Sequence, residues 1–146
     1  MDNTIFKKLR AKPGMTAAII CACENYPDYE WLTKKSRAGH DFVHLFISNK
    51  AEFEQRFKTA ADITAEGGLL WVSYPKSDKN KKYDINRDSL WRLAIAAGWH
   101  PVAQVSLDEK WSAVRMRPNE PGVVYEHPKN VKPNLNPDKP KTNEAD

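Results

Sequence analysis

The feature that most constrains the fold is an unbroken apolar run, MTAAIICA, which spans residues 15–22. A run of this length without polar alternation is typical of a strand that is buried on both faces, as in a parallel sheet. Lys12, Pro13 and Gly14 precede the run and end any short helix formed by Thr4–Leu9. The sequence therefore predicts an α/β protein.

Two further strands follow, with helical segments before and between them. Residues 41–47 (DFVHLFI) and 69–74 (LLWVSY) have strand length and a strand-forming composition. A weaker helix candidate, Pro27–Lys35, precedes them, and Asn49 with Glu52 predicts the start of a helix between them. Strands that alternate with helices imply parallel pairing through right-handed crossovers. The apolar stripe of the helix after Asn49 comprises Phe53, Phe57, Ala60 and Ala61.

The second half of the chain adds a helix and a hairpin. Asn86 predicts the N-cap of a helix that ends at about Ala97. Further strands are predicted at residues 102–107 and 111–117. Only Asp108-Glu109-Lys110 separates these strands, so they should form an antiparallel hairpin.

The composition changes after Pro118. Five prolines fall within residues 119–146, and few large apolar side chains accompany them. Such a segment cannot bury enough apolar surface to fold, which predicts a disordered Pro/Lys-rich tail. We therefore expect one Rossmann-like domain at residues 1–118 and a tail at residues 119–146.

Bulk charge and cysteine content limit the classes of partner. A net charge of +4 permits an anionic partner, although a nucleic-acid-binding domain usually has a denser basic face. Two cysteines, no secretory leader and no apolar stretch long enough to span a bilayer predict a cytoplasmic protein without a membrane partner. A homodimer stays open, because the first strand is a candidate sheet edge.

In open sheets of this type, ligands bind outside the carboxyl ends of the strands. Four segments should meet there: Cys23–Tyr26, Ser48–Asn49, Ser73–Lys76 and, if the fourth strand is parallel to the first three, Asp108–Ser112. Tyrosine and tryptophan form amphipathic pocket walls, while serine and aspartate orient polar ligand groups. The candidate ligand-binding residues are Cys23, Glu24, Ser48, Ser73, Tyr74, Lys76, Asp108, Trp111 and Ser112.

Each candidate has a purely structural alternative. Trp71 and Trp111 also suit the core, and Asp108 suits a turn. Cys21 is expected to be a small buried apolar residue, which leaves Cys23 as the more reactive thiol. No metal site is predicted, because structural zinc normally needs four ligands and the histidines are scattered.

A lysine-rich loop at Lys76–Lys82 could attract phosphate or a nucleic-acid backbone, or could simply be a solvated loop. His44 lies among apolar residues in the second strand, so we expect a core or interface histidine with a satisfied hydrogen bond. No nucleophile elbow, P-loop or carboxylate pair is present in the sequence, so no catalytic residue is assigned.

Three stretches carry a resemblance to known proteins. LLWVSYPK at residues 69–76, the helix start Asp84-Ile85-Asn86 and DEKWSAVRMRP at residues 108–118 resemble an uncharacterised bacterial family of domains of unknown function. The pattern over roughly residues 9–118 also looks like the second half of the S-adenosylmethionine-dependent methyltransferase fold. The resemblance implies a small Rossmann-like three-layer sandwich. Its five-stranded sheet would be mostly parallel, in the order 1-2-3-5-4, with the last strand antiparallel.

One departure from those methyltransferases bears on chemistry. Their first strand leads into a glycine-rich turn, where residues without Cβ let the backbone approach the cofactor. The matching segment here, Cys21–Pro27, contains no glycine, and the acidic residue expected to bind the ribose has no clear counterpart. No cofactor is therefore predicted.

The sequence favours a non-catalytic module that binds a small ligand or a protein on a degenerate methyltransferase-like fold. Two alternatives stay open. One is a divergent S-adenosylmethionine-dependent methyltransferase relative, and the other is an anion or nucleic-acid binder that uses Lys76–Lys82.

Overall fold

A computed structural model describes residues 1–29 and 39–125. Three helices and five strands are formed by these residues. They are α1 (Ile5–Lys8), β1 (Ala17–Ile20), β2 (His40–Phe46), α2 (Lys50–Asp62), β3 (Thr64–Pro75), α3 (Arg87–Ala96), β4 (Trp99–Ser106) and β5 (Trp111–Pro118).

The five strands form one open sheet in the order β1-β2-β3-β5-β4. Strands β1, β2 and β3 are parallel, whereas β5 is antiparallel to both β3 and β4. Strand β4 therefore runs in the same direction as the first three. The α/β class, the strand order and the antiparallel last strand that the sequence predicts are confirmed.

One face of the sheet, called the helix face below, is covered by α2 and α3. Helix α2 begins where Asn49 Oδ1 accepts a hydrogen bond from Glu52 N at 2.8 Å. Glu52 Oε1 in turn accepts from Ser48 N at 2.7 Å, one residue earlier than a standard capping box requires. Phe53, Phe57 and Ala60 are buried, as the apolar stripe predicts.

Helix α3 also begins as predicted. Asn86 and Ser89 exchange both hydrogen bonds of a capping box. Ile85 and Leu90, on either side of the cap, are buried in the same cluster. The helix ends before Gly98, whose φ of 95° suits glycine.

The opposite face, called the aromatic face below, is covered by α1 and by the loop of residues 21–29, so the molecule has three layers. Trp71 is buried there, and its Nε1 donates a hydrogen bond to Leu9 O at 2.9 Å. This bond fixes the chain after α1 to the central strand. The other buried residues of α1 and of the strands on this face include Ile5, Phe6, Phe42, Phe46 and Trp111.

Strand β3 is longer than predicted, because it begins at Thr64 and contains Gly67 and Gly68. The sequence predicts the start of this strand at residue 69, after these glycines. The pairing of β2 with β3 is irregular between His40 and Phe42, and a Cβ on Gly68 would lie 2.8 Å from His40 O. Glycine therefore allows the two strands to approach closely at the irregularity.

Strand β1 is shorter than predicted and ends at Ile20. Cys21 follows with a φ of 56° and is exposed, so the expectation that it is buried is wrong. The physical reason is that the backbone leaves the strand before Cys21. Of the predicted helix Pro27–Lys35, residues 27–29 are not helical, and the rest lies outside the described residues.

The described chain ends with residues 119–125. Asn119 N donates to Gly98 O at 2.8 Å, and the Tyr125 ring stacks on His100 with centroids 4.2 Å apart. The rest of the predicted tail lies outside the described residues, so the boundary at residue 118 stays a prediction. Within the described parts of the chain, no helix has the length and apolar character needed to cross a membrane.

Candidate functional site

The candidate site is the edge of the sheet at which β1, β2, β3 and β4 all end. We call this edge the carboxyl rim; it includes the loop 21–29 and the turn between β4 and β5 at residues 107–110. Because β4 is parallel to the first three strands, the turn lies on the same edge as the other strand ends. The condition that the sequence analysis set for including Asp108 is therefore met.

Tyr26 occupies the centre of the aromatic face at the carboxyl rim. A turn closed by the bond from Tyr26 N to Cys23 O, 3.2 Å long, brings its side chain over the sheet. Its ring makes edge-on contacts with four other rings, at centroid distances between 5.4 and 5.8 Å. These rings belong to Phe6, Tyr29, His44 and Phe46. Edge-to-face geometry is favourable for aromatic pairs, so the loop is anchored by this one side chain.

A chain of hydrogen bonds runs below the Tyr26 ring. Tyr26 Oη lies 2.9 Å from His44 Nδ1, and His44 Nε2 lies 2.6 Å from Ser73 Oγ. The imidazole thus joins the loop after β1 to the end of β3. In either neutral tautomer of His44, one ring nitrogen donates and the other accepts, so both are satisfied. This confirms the expectation that His44 is a core histidine with its hydrogen bonds satisfied.

Burial keeps the hydrogen-bonded His44 and Tyr26 side chains uncharged. It lowers the pKa of His44 from 6.5 to about 3 and raises the pKa of Tyr26 well above its usual value. The cause in both cases is that a charged side chain loses its water. At neutral pH the imidazole and the phenol are therefore both neutral.

The spacing of Ser73, His44 and Tyr26 resembles that of a nucleophile, a base and an orienting group. However, Ser73 and His44 are both 0% exposed, so a substrate has no access to the serine hydroxyl. The hydrogen bonds of Tyr26, His44 and Ser73 therefore hold the loop on the sheet, and these side chains do not perform chemistry in this conformation.

Lys76 organises the neighbouring part of the carboxyl rim. Its Nζ donates to Ser106 Oγ at 2.6 Å and to Asp108 O at 2.7 Å, and its backbone N donates to Lys110 O at 2.7 Å. Lys76 therefore joins the end of β3 to the β4–β5 turn, next to the first residue of β5. Its position at the rim agrees with the sequence analysis, but its ammonium is already hydrogen-bonded within the protein.

Asp108 shapes the turn itself. Its Oδ1 accepts hydrogen bonds from the backbone N of Lys110 at 2.8 Å and of Trp111 at 2.7 Å. This is the local arrangement that favours aspartate in tight turns. Asp108 therefore acts as a turn residue, the structural role that the sequence offers as its alternative.

The structure divides the sequence-predicted candidates between the two faces of the sheet. Ser73 and Trp111 lie on the aromatic face. Tyr74 and Ser112 are cross-strand partners and share the helix face, where Tyr74 packs in the core. Neighbouring residues of a strand point to opposite faces, so Tyr74 and Trp111 do not line one pocket.

On the helix face, Tyr74 Oη accepts a hydrogen bond from Gln104 Nε2 at 2.8 Å and also bonds with Ser112. Burial raises the pKa of Tyr74 to about 12, which keeps its hydroxyl protonated at neutral pH. Ser48 is half-buried at the start of α2, and Glu24 is exposed in the loop after β1. Tyr74 and Ser112 therefore lie on the opposite face of the sheet from the hydrogen bonds of Tyr26.

Cys23 is half-buried in the loop after β1. Burial, and then the nearby Asp108 carboxylate, raise the pKa of its thiol. Because the thiolate is the nucleophilic form, this environment weakens Cys23 as a nucleophile. With Cys21 exposed, the structure does not support the expectation that Cys23 is the more reactive thiol.

Several residues that form the rim carry no local sequence signal. Tyr26 stood in a segment assigned to the rim, but nothing local indicated that its ring would fold back onto the sheet. Lys8 Nζ donates to Ser106 O at 3.1 Å across 98 positions of the chain, a contact without a local sequence pattern. Within residues 1–29 and 39–125, no three His, Cys, Asp or Glu side chains are grouped so that they could hold a metal ion.

Comparisons with known proteins do not identify a family for this chain. No family model matches the sequence, and no curated protein matches it. The proposed family resemblance therefore stays a prediction. Three solved chains match, among them one titled "DhpI-SAH complex structure". That chain is 14% identical, with a TM-score of 0.40; the match covers 57% of this chain and 50% of the solved chain, or half its length. A likeness at this level does not identify a function.

Proposed function

We propose that this protein is a non-catalytic module that binds a small ligand or a protein segment at the carboxyl rim of a methyltransferase-like sheet. The observation that carries the proposal is the position of Tyr26. Its ring packs edge-on against His44 and Phe46 of β2, and its Oη lies 2.9 Å from His44 Nδ1.

The loop after β1 supports this proposal in a second way. A bound nucleoside cofactor would need close approach to bare backbone there, and residues 21–27 contain no glycine. Cys21 adopts a φ of 56° although it carries a Cβ, and Tyr26 then covers the sheet. The residues present at this place do not fit S-adenosylmethionine, and we derive no step through it.

The groups left for binding are those at the surface of the rim. Glu24 is exposed, and Lys76 and Asp108 are half-buried, so each remains accessible to a ligand. Polar groups at such an edge orient a ligand, and the Trp111 and Phe46 rings pack edge to face below them with centroids 5.0 Å apart. The rim thus offers polar recognition groups, while the Ser73 hydroxyl and the His44 imidazole are buried away from a ligand.

Isothermal titration of the full chain with S-adenosylmethionine tests the proposal. We expect no binding heat, whereas one-to-one binding in the micromolar range would favour a divergent methyltransferase and overturn the proposal. The Tyr26→Ala variant serves as a matched sample, provided that its circular dichroism spectrum matches the wild-type spectrum. Binding gained only in that variant would support the proposal, because it would identify Tyr26 as the group that closes the site.

A further inference from the structure

Two lysines from distant parts of the chain meet at one residue of the carboxyl rim. Lys8 Nζ donates to Ser106 O at 3.1 Å, and Lys76 Nζ donates to Ser106 Oγ at 2.6 Å. Since both ammonium groups bond to the same residue, they lie within about 10 Å of each other by simple covalent geometry. Lys110 lies in the adjoining turn, with its Nζ 5.3 Å from the centroid of the Trp111 ring.

The oxygens that hold these ammonium groups are neutral. Lys76 bonds to the Ser106 hydroxyl and to the Asp108 carbonyl, and Lys8 bonds to the Ser106 carbonyl. The Asp108 carboxylate uses Oδ1 for the backbone of the turn. Among the described residues, Lys8 and Lys76 form no salt bridge with a carboxylate. Two positive charges therefore converge on Ser106, next to an Asp108 carboxylate that the backbone of the turn engages.

We infer that the surface around Ser106 is a binding site for a phosphate group. The inference deepens the proposed function, on which it rests, by naming the chemical class of ligand at the carboxyl rim. An ammonium has three N–H donors, so Lys8 retains two and Lys76 retains one after the bonds to the protein. A phosphate dianion matches the charge of the pair, and lysine is a usual phosphate ligand in proteins.

The position of the site strengthens the inference. The bonds from Lys76 to Ser106 and Asp108 hold its ammonium in a fixed place, so its ordering costs little upon binding. Lys8 is exposed and is therefore accessible to an incoming anion. A phosphate at Ser106 would lie on the edge of the sheet where ligands of such folds bind.

Isothermal titration calorimetry of the full chain with inorganic phosphate, in a chloride buffer, tests this site. We expect saturable one-to-one binding that weakens as salt is added. In the Lys8→Gln variant the affinity should fall by about tenfold or more, because one charged hydrogen-bond donor is lost. Lys58→Gln is the matched control, since Lys58 is exposed on α2 and pairs with Asp62 at 2.7 Å; its affinity should equal that of the wild type.

Three results would overturn the inference: no phosphate binding by the wild type, equal binding by Lys8→Gln and the wild type, or equal losses in Lys8→Gln and Lys58→Gln. Lys76→Gln provides a second variant, and its unfolding curve shows whether it is folded. A folded Lys76→Gln chain with wild-type affinity would also contradict the site. Adenosine diphosphate, titrated alongside, distinguishes a phosphate carried by a larger ligand from free phosphate by its tighter binding.

Failure of this inference is distinguishable from failure of the proposed function. If S-adenosylmethionine binds and inorganic phosphate also depends on Lys8, the phosphate site stands and the non-catalytic module does not. If neither compound binds, the phosphate site is refuted and the proposal about the closed loop is retained.

Discussion

The two faces of the sheet differ in their side chains and in the elements that cover them. The helix face consists mainly of aliphatic side chains and phenylalanines under two capped helices, α2 and α3. The aromatic face is covered by a helix of four residues and an irregular loop, and it contains the hydrogen-bonded chain of Tyr26, His44 and Ser73. Regular elements carry their own backbone hydrogen bonds, whereas an irregular loop depends on a few side-chain contacts.

This difference assigns the two faces different tasks. We expect the helix face to supply most of the stability, since amphipathic helices gain it from packing. The aromatic face contains the polar groups next to the carboxyl rim, and the loop that covers them is of the kind that opens at low cost in free energy. We therefore expect perturbations of the helix face, and of buried strand residues such as His44, to act on global stability, whereas perturbations of α1 and the covering loop on the aromatic face act locally.

The largest effect should come from truncating a phenylalanine on the helix face. Phe57 and Phe6 are equally buried, each 3% exposed, but Phe57 lies in α2 and Phe6 in the short helix α1. Phe57→Ala should lower the free energy of unfolding by about 3–5 kcal/mol, as is usual for such cavities. Phe6→Ala should cost less, because α1 can detach or shift to fill the space. Urea denaturation measures both, and equal losses would remove the distinction between the faces.

The next largest effect should be a loss of stability in acid. The folded-state pKa of His44 is lowered from 6.5 to about 3, so its contribution is complete above pH 6.5 and is lost as the pH falls toward 3. The free energy of unfolding should therefore drop by about 3 kcal/mol between pH 7 and pH 4, beyond the change due to carboxylates. The His44→Asn variant is the control, since it cannot titrate. If that variant and the wild type gave parallel pH profiles, His44 would not be the buried neutral group described.

Removing only the Tyr26 hydroxyl should have an intermediate effect. Tyr26→Phe keeps the ring contacts but leaves His44 Nδ1 without its partner, which costs about 1–3 kcal/mol for a buried polar group. Hydrogen exchange should locate the loss mainly in residues 21–29, with smaller changes in α2 and α3. A uniform loss across the molecule would contradict the local character assigned to the aromatic face.

The smallest effect should be a difference in thiol reactivity. Cys21 is exposed, whereas Cys23 is half-buried and has a raised pKa, so iodoacetamide should modify Cys21 several-fold faster in the native chain. Single Cys→Ser variants identify which thiol has reacted, and the denatured chain gives the reference rates. Equal native rates would mean that the loop is open most of the time.

Local rules in the sequence predicted the helix face well. Asn49, Asn86 and Gly98 act within one turn of the helix that they begin or end, so nearby residues suffice to identify them. Strand alternation also contained the information that separates Ser73 from Tyr74. The register between β3 and β5 was needed to show that Tyr74 belongs with Ser112 and that Trp111 belongs to the other face.

The aromatic face was less predictable, because its contacts join distant parts of the chain. The Tyr26–His44 bond spans 18 positions and the Lys8–Ser106 bond spans 98. Tyr26 lies in an irregular loop, and local propensity does not determine the path of such a loop. The sequence could therefore locate the carboxyl rim but could not arrange its side chains.

The most direct test of the account is a crystal structure of the protein grown with excess S-adenosylhomocysteine. We predict that the Tyr26 ring remains between Phe6 and Phe46, with Oη within hydrogen-bond distance of His44 Nδ1, and that no nucleoside is bound at residues 21–26. A nucleoside seated against Glu24 and Asn25, with Tyr26 displaced from His44, would contradict it.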